Sequence, residues 1–110
     1  MPRKSLAALC FSVAVLGCAA PAQADVDTDF ANELHVYGIY GPKDYNAWLG
    51  KIACKRLATH LDPTALESAR FLKTNLAKTT TTEQTWQFLG AAIPAYCPDQ
   101  LPALQAVANA

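Results

Sequence analysis

Nothing in this sequence alternates as a β-strand does. No run of β-branched residues switches between polar and apolar at every second position, and no Asn-Gly or Asp-Gly pair offers a hairpin turn. Basic runs are missing as well. No Lys/Arg-rich face exists to neutralise phosphates, which excludes nucleic acid as the natural partner, and no polybasic segment is there to hold an anionic bilayer. Closely spaced metal ligands such as C-x-x-C are absent. So is a G-x-S-x-G elbow around Ser68, the single serine beyond the N-terminal leader. Gly38 and Gly41 do not make a phosphate loop. No close carboxylate pair presents an acid–base couple. The longest apolar run, Leu6–Ala20, is shorter than the ~20 residues that a membrane-spanning helix needs.

What is present begins with an export signal. Arg3 and Lys4 form a positive n-region, Leu6–Ala20 an apolar core, and Ala22-Gln23-Ala24 a small-residue cleavage site. Residues 1–24 read as a signal peptide cut after Ala24, with no transmembrane span left after cleavage. An alternative lies in the same region: Val15-Leu16-Gly17-Cys18 is close to a bacterial lipobox, which would make a lipoprotein anchored through Cys18. Without Arg3 and Lys4 the remainder carries seven basic and nine acidic residues, a net charge of −2. Two cysteines remain beyond the leader, Cys54 and Cys97. They are too far apart for an ordinary metal site, and an even count in an exported chain reads as a disulfide.

The rest is helical. Asp25 to Asp29 starts a first helix, with Asp27 or Thr28 as cap and Phe30, Leu34 and Tyr37 at helical spacing. Gly38 ends it, with Ile39 as the apolar contact that follows. Gly41-Pro42 opens a second helix, proline at N1, which runs to about His60–Leu61. It is apolar over most of its circumference: Tyr45, Trp48, Leu49 and Ile52 form a stripe, and Gly50, Ala53, Cys54, Leu57 and Leu61 continue it. Asn46 and Arg56 are exceptions inside the arc. This pattern predicts a central helix surrounded by the others. Asp62-Pro63 is the next cap, for a helix to about Leu76 that buries Ala65, Leu66, Ala69, Leu72 and Leu76. Thr80/Glu83 or Thr81/Gln84 is a capping box for a fourth helix with Trp86, Leu89, Gly90, Ile93, Tyr96 and Cys97 on one face. Pro94 predicts a kink or an early 3₁₀ turn there, and Pro98 stops the helix. Leu101, Leu104 and Val107 follow at helical spacing. The expected fold is all-α: a four- to five-helix bundle with one disulfide between the second and fourth helices. Residues 25–98 form the domain and 99–110 a tail or short helix.

Asp29-Phe30 with Leu34 and Gly38-Ile39, then Cys54 and Leu57, then Trp86-Gln87-Phe88 and Tyr96-Cys97-Pro98, resembles a family of small exported actinobacterial proteins. The family is chiefly mycobacterial and is known as domain of unknown function 732. The resemblance covers about residues 27–98. It implies export, a helical fold and the Cys54–Cys97 pairing, and it carries no activity or catalytic residue.

Candidate sites are few. His35 and His60 are the only histidines; with Glu33 or Asp44 they could bind a metal, but they lie on different helices, and no metal or cofactor is expected. His60 sits where a cation suits the negative end of a helix. Phe71 and Phe88 lie off the main apolar stripes, and Tyr40 belongs to a glycine turn. Tyr40, Phe71 and Phe88 are therefore the candidate partner or ligand contacts, unless the two phenylalanines pack under the tail or the first helix. The expectation is a secreted or envelope-associated, non-enzymatic interaction module of the cell envelope or host interface, its partner an unknown protein or an envelope lipid. The alternative is a carrier for a small apolar ligand such as a lipid, which would need an enclosed apolar cavity of ~300 Å³ or more. A hydrolase would require an acid–base cluster that the sequence does not display.

Overall fold

The computed structural model describes residues 22–109. Helices α1 (Ala22–Val36), α2 (Lys43–Ala58), α3 (Ala65–Asn75) and α4 (Thr82–Tyr96) are followed by a 3₁₀ turn (Pro98–Gln100) and α5 (Leu101–Ala108). The described residues are all-α, with no strand among them. Cys54 on α2 and Cys97 at the end of α4 are disulfide-bonded, their Cα atoms 5.8 Å apart.

Several helix ends follow local chemistry. Gly38, at φ +78°, takes the left-handed position after α1, and its N–H and that of Ile39 bond the carbonyls of His35 and Leu34 at 3.0 and 2.9 Å. This is a Schellman cap closed by the Ile39–Leu34 contact. Thr81 and Gln84 form the predicted box at α4, and Pro98 ends that helix in a 3₁₀ turn. His60 occupies a left-handed conformation (φ +63°) just past α2.

Other starts differ from expectation. Helix α1 already runs from Ala22, so Asp27 and Thr28 lie in its middle and cap nothing; the expected cleavage point after Ala24 falls within this helix, and Cys18 lies outside the described residues. Pro42 is the N-cap of α2 rather than its first residue. Asp62 does not cap α3. Thr64 does, in a box with Glu67, and the Thr64 hydroxyl holds the Glu67 carboxyl below its ordinary pKa. Asp62 is instead buried, accepting both arms of the Arg56 guanidinium at 2.9 Å and the Ser68 hydroxyl at 2.9 Å. Its bidentate ion pair fixes the α2–α3 corner, while Arg56 also stacks 4.1 Å over the Phe71 ring. Pro94 sits inside α4 on its exposed side, and the helix continues through it to Tyr96.

The central element is α4, not α2. It packs against α1, α2, α3, the 3₁₀ turn and α5, and buries Thr85, Phe88, Leu89, Ala91, Ala92 and Ile93. Phe30 of α1 stands edge-on to Phe88 and Tyr96, both centroids 5.2 Å away. Helix α2 carries two apolar stripes and buries the one made of smaller residues: Ala47, Leu49, Gly50, Ala53, Cys54 and Leu57, with Asn46 among them. The reason is room. A Cβ on Gly50 would lie 3.2–3.3 Å from the Tyr96 and Phe30 rings, so only a thin face can approach them. The bulkier stripe, with Tyr45 and Trp48, is left on the surface, as is Leu61 just beyond the helix, against the expectation that α2 is enclosed. Leu66 is likewise exposed. The partly buried Leu101, Leu104 and Val107 lay α5 against the core.

Reduction, or the double substitution of Cys54 and Cys97 by serine, should lower stability by about 4 kcal/mol. That is the chain-entropy value for a loop of this size, against a total of ~5–10 kcal/mol for so small a domain. Urea titration of oxidised and reduced protein measures it; a loss under about 1 kcal/mol would mean that the loop is ordered without the bond.

Candidate functional site

The candidate contacts do not come together. Phe88 is 0% exposed against Phe30, so it belongs to the core and can form no surface patch. Phe71 is half-buried beneath Arg56. Tyr40 is exposed, its ring 5.1 Å from that of His35. Among the described residues no group of three or more His, Cys, Asp or Glu is placed to hold a metal ion. Ser68 is fully buried and committed to Asp62.

Two surface features emerge that the sequence did not single out. The first is the outer face of α2. Trp48 is 55% exposed and Leu61 64% exposed. With Ile52 and the side chains of Lys55, Arg56 and Thr59 they line an open groove of about 470 Å³. Tyr45 extends this face, its ring 5.8 Å from that of Trp48. One signal was available: Trp48, Ile52, Lys55 and Thr59 fall on one side of a helical wheel, and two of them are polar.

The second feature is a cleft of about 350 Å³ where the α1–α2 link meets the α3–α4 link. Ile39, Tyr40, Tyr45, Asn46, Thr80 and Gln84 are among its walls. The Tyr45 hydroxyl donates to the Asn75 carbonyl at 2.8 Å, which ties α2 to the end of α3. Gln84 Nε2 donates to the Tyr37 carbonyl at 3.0 Å, which ties α4 to the end of α1. A Cβ on Gly38 would lie 3.3 Å from that nitrogen. The cleft is open to solvent and partly polar.

The family described as "Protein of unknown function (DUF732)" matches residues 25–99. The chain belongs to this family. Two uncharacterized proteins of Mycobacterium tuberculosis, from strains CDC 1551 / Oshkosh and ATCC 25618 / H37Rv, are each 55% identical to it over 95 residues, covering 86% of this chain and 85% of theirs. No solved structure matches it.

The match of this DUF732 chain begins at Asp25, inside α1, and takes in the contacts that hold that helix. Tyr96 donates its hydroxyl to Asp27 Oδ1 at 2.6 Å. Lys51 lies 3.5 Å from the same oxygen and 5.4 Å over the Tyr96 ring. Burial, and then the hydrogen bond to the Asp27 carboxylate with its negative charge, push the Tyr96 phenol well above its ordinary pKa. The neutral phenol is thus favoured by folding. That contribution is complete below the unfolded tyrosine pKa of about 10 and is lost as pH rises beyond it. The melting temperature of the wild type should therefore fall from about pH 10 upward. Tyr96→Phe should start lower at neutral pH and show a shallower alkaline decline. Parallel alkaline slopes would show that this contact does not couple folding to the phenol's proton.

Proposed function

We propose that this DUF732 protein is an exported, non-enzymatic interaction module that contacts envelope material through the outer face of α2. The observation that supports this most is Trp48, held more than half exposed beside Tyr45, Ile52 and Leu61 although the core is closed without it. Large aromatic side chains placed in this way dominate the energetics of protein contacts, and grouped exposed apolar residues mark interaction sites. Lys55, which lines the same groove, adds positive charge beside Trp48.

The interior favours this reading over a carrier. Phe30, Phe88, Leu34, Leu49, Leu72, Leu89 and Ile93 are all fully buried. The cavities among the described residues that bear on the question are open clefts at the surface, not an enclosed apolar chamber of ~300 Å³.

The test uses intrinsic fluorescence. The chain has two tryptophans, so Trp86→Phe leaves Trp48 as the sole reporter. Its emission should shift to the blue when the mature protein meets isolated envelope fragments. Trp48→Ser should weaken sedimentation with those fragments at least tenfold, about 1.4 kcal/mol, with the melting temperature within a few degrees of wild type. An unshifted emission, or undiminished sedimentation by Trp48→Ser, would refute the assignment of this face.

A further inference from the structure

The cleft at the loop end of the bundle holds two polar side chains whose hydrogen-bonding groups find no partner among the described residues. Asn46 is 5% exposed and Thr80 9% exposed. Both line the cleft. Among the described residues, no hydrogen bond is made by the Asn46 side-chain amide or the Thr80 hydroxyl. Their neighbours, by contrast, are engaged: Thr85 bonds the Thr81 carbonyl, Gln84 the Tyr37 carbonyl and Tyr45 the Asn75 carbonyl. A buried polar group without a partner is costly and uncommon in a folded protein, and two of them converge on one cavity here.

The backbone leaves the Asn46 amide accessible. Gly41, at φ +129°, has no side chain, and a Cβ there would stand 3.6 Å from Asn46 Nδ2. Tyr40 and Tyr45, both with exposed rings, are also in the lining. No carboxylate, amine, guanidinium or imidazole lines the cavity, so no side chain of its wall pairs with a charged ligand; the Lys73 ammonium, which reaches a wall residue, is spent on the Thr80 carbonyl at 2.6 Å.

We infer that this cleft is a binding site for a neutral sugar ring. An amide supplies donors and an acceptor in one plane, and a hydroxyl supplies a donor and acceptors. Together they match adjacent sugar hydroxyls, each of which both gives and takes a hydrogen bond. The tyrosine faces match the apolar C–H side of such a ring. The volume, about 350 Å³, lies within the range of small-molecule sites. The Tyr45 ring also lies 5.8 Å from that of Trp48, tilted by 41°, so a ring seated in the cleft has an apolar path leading away from it along α2. The sugar can thus be free or the headgroup of a glycolipid.

The experiment is nuclear magnetic resonance titration of the mature, disulfide-bonded, ¹⁵N-labelled protein with methyl glucoside and methyl mannoside. Glucuronate and glucosamine serve as charged controls, and octyl glucoside is used below its micelle concentration. The expected result is saturable movement of the Asn46 side-chain signals and the Gly38, Gly41 and Thr80 amides, with a Kd of about 1 mM. Asn46→Leu should weaken binding about tenfold or more while raising the melting temperature, because it removes an unpartnered buried amide. Thr80→Val, which removes the hydroxyl and keeps the shape, should weaken binding too. Tighter binding of octyl than of methyl glucoside, with a change in Trp48 emission, supports the headgroup source, and equal binding supports the free sugar. Silence of these signals toward every neutral glycoside overturns the site. So does a stronger response to glucuronate or glucosamine, or a lowered melting temperature in Asn46→Leu, which would reveal a structural partner for the amide. Trp48→Ser leaves methyl glycoside binding intact, so this site and the α2 face stand or fall separately.

Discussion

The bond between Cys54 and Cys97 divides the chain into what is covalently enclosed and what is not. The enclosed loop takes in the end of α2, all of α3 and all of α4, the segment that contributes Leu57, Leu72, Phe88, Leu89 and Ile93 to the core. Helix α1 lies outside the loop and is held by side chains alone. Phe30 is wedged between Phe88 and Tyr96, Asp27 takes the Tyr96 hydroxyl, and Gln84 reaches the Tyr37 carbonyl. The loop-end cleft straddles this divide. Its residues 38–41 continue from α1, Tyr45 and Asn46 belong to α2, and 76–84 lie within the closed loop. Most of the cleft is therefore built on the two helices that the disulfide ties together, and only the Gly38–Gly41 side hangs from a helix whose attachment is as strong as its packing.

That division also explains which helix became central. Once α4 is tied to α2 at one end and receives Phe30 along its length, its own circumference fills with Phe88, Leu89, Ala91, Ala92 and Ile93. Helix α2 can then approach only through a thin face, and Gly50 and Ala53 supply it. Its bulky stripe is displaced outward by the volume already occupied by Phe30 and Tyr96. Close packing decides this, because an interior near crystal density has no space for a second large stripe.

Features set by neighbours along the chain were legible in the sequence. The Gly38–Ile39 ending, the Thr81–Gln84 box, the stop at Pro98 and the cysteine pairing depend on spacing within a few residues or on a count of two. Features decided by competition in space were not. Asp62 before Pro63 carries a cap signal as strong as that of Thr64, but Arg56, six residues earlier, offers it a bidentate partner and draws it inward. Phe88 looked peripheral because α4 was read as having a single buried face. The cleft was half visible: Asn46 stood out as a polar residue in an apolar arc, and Tyr40 as an aromatic in a glycine turn. Their meeting with Thr80 joins loops more than thirty residues apart in the chain, and no local pattern encodes that.

Helix α2 combines two departures from what folding alone would favour. It shows Trp48 to water, and it draws Asn46 inside with no partner for its amide among the described residues. Exchanging the properties of the two positions, a polar residue at 48 and a leucine at 46, would suit a helix selected only for stability, and substitutions of that kind are readily available to a protein. Local rules are characteristically broken where a chain must meet something other than itself. The two breaches lie on one helix, with Tyr45 between them touching both the cleft and the Trp48 ring. An accidental defect would have no reason to fall in such a sequence of neighbours, whereas a surface that grips one end of an amphiphilic molecule and covers the other requires that order.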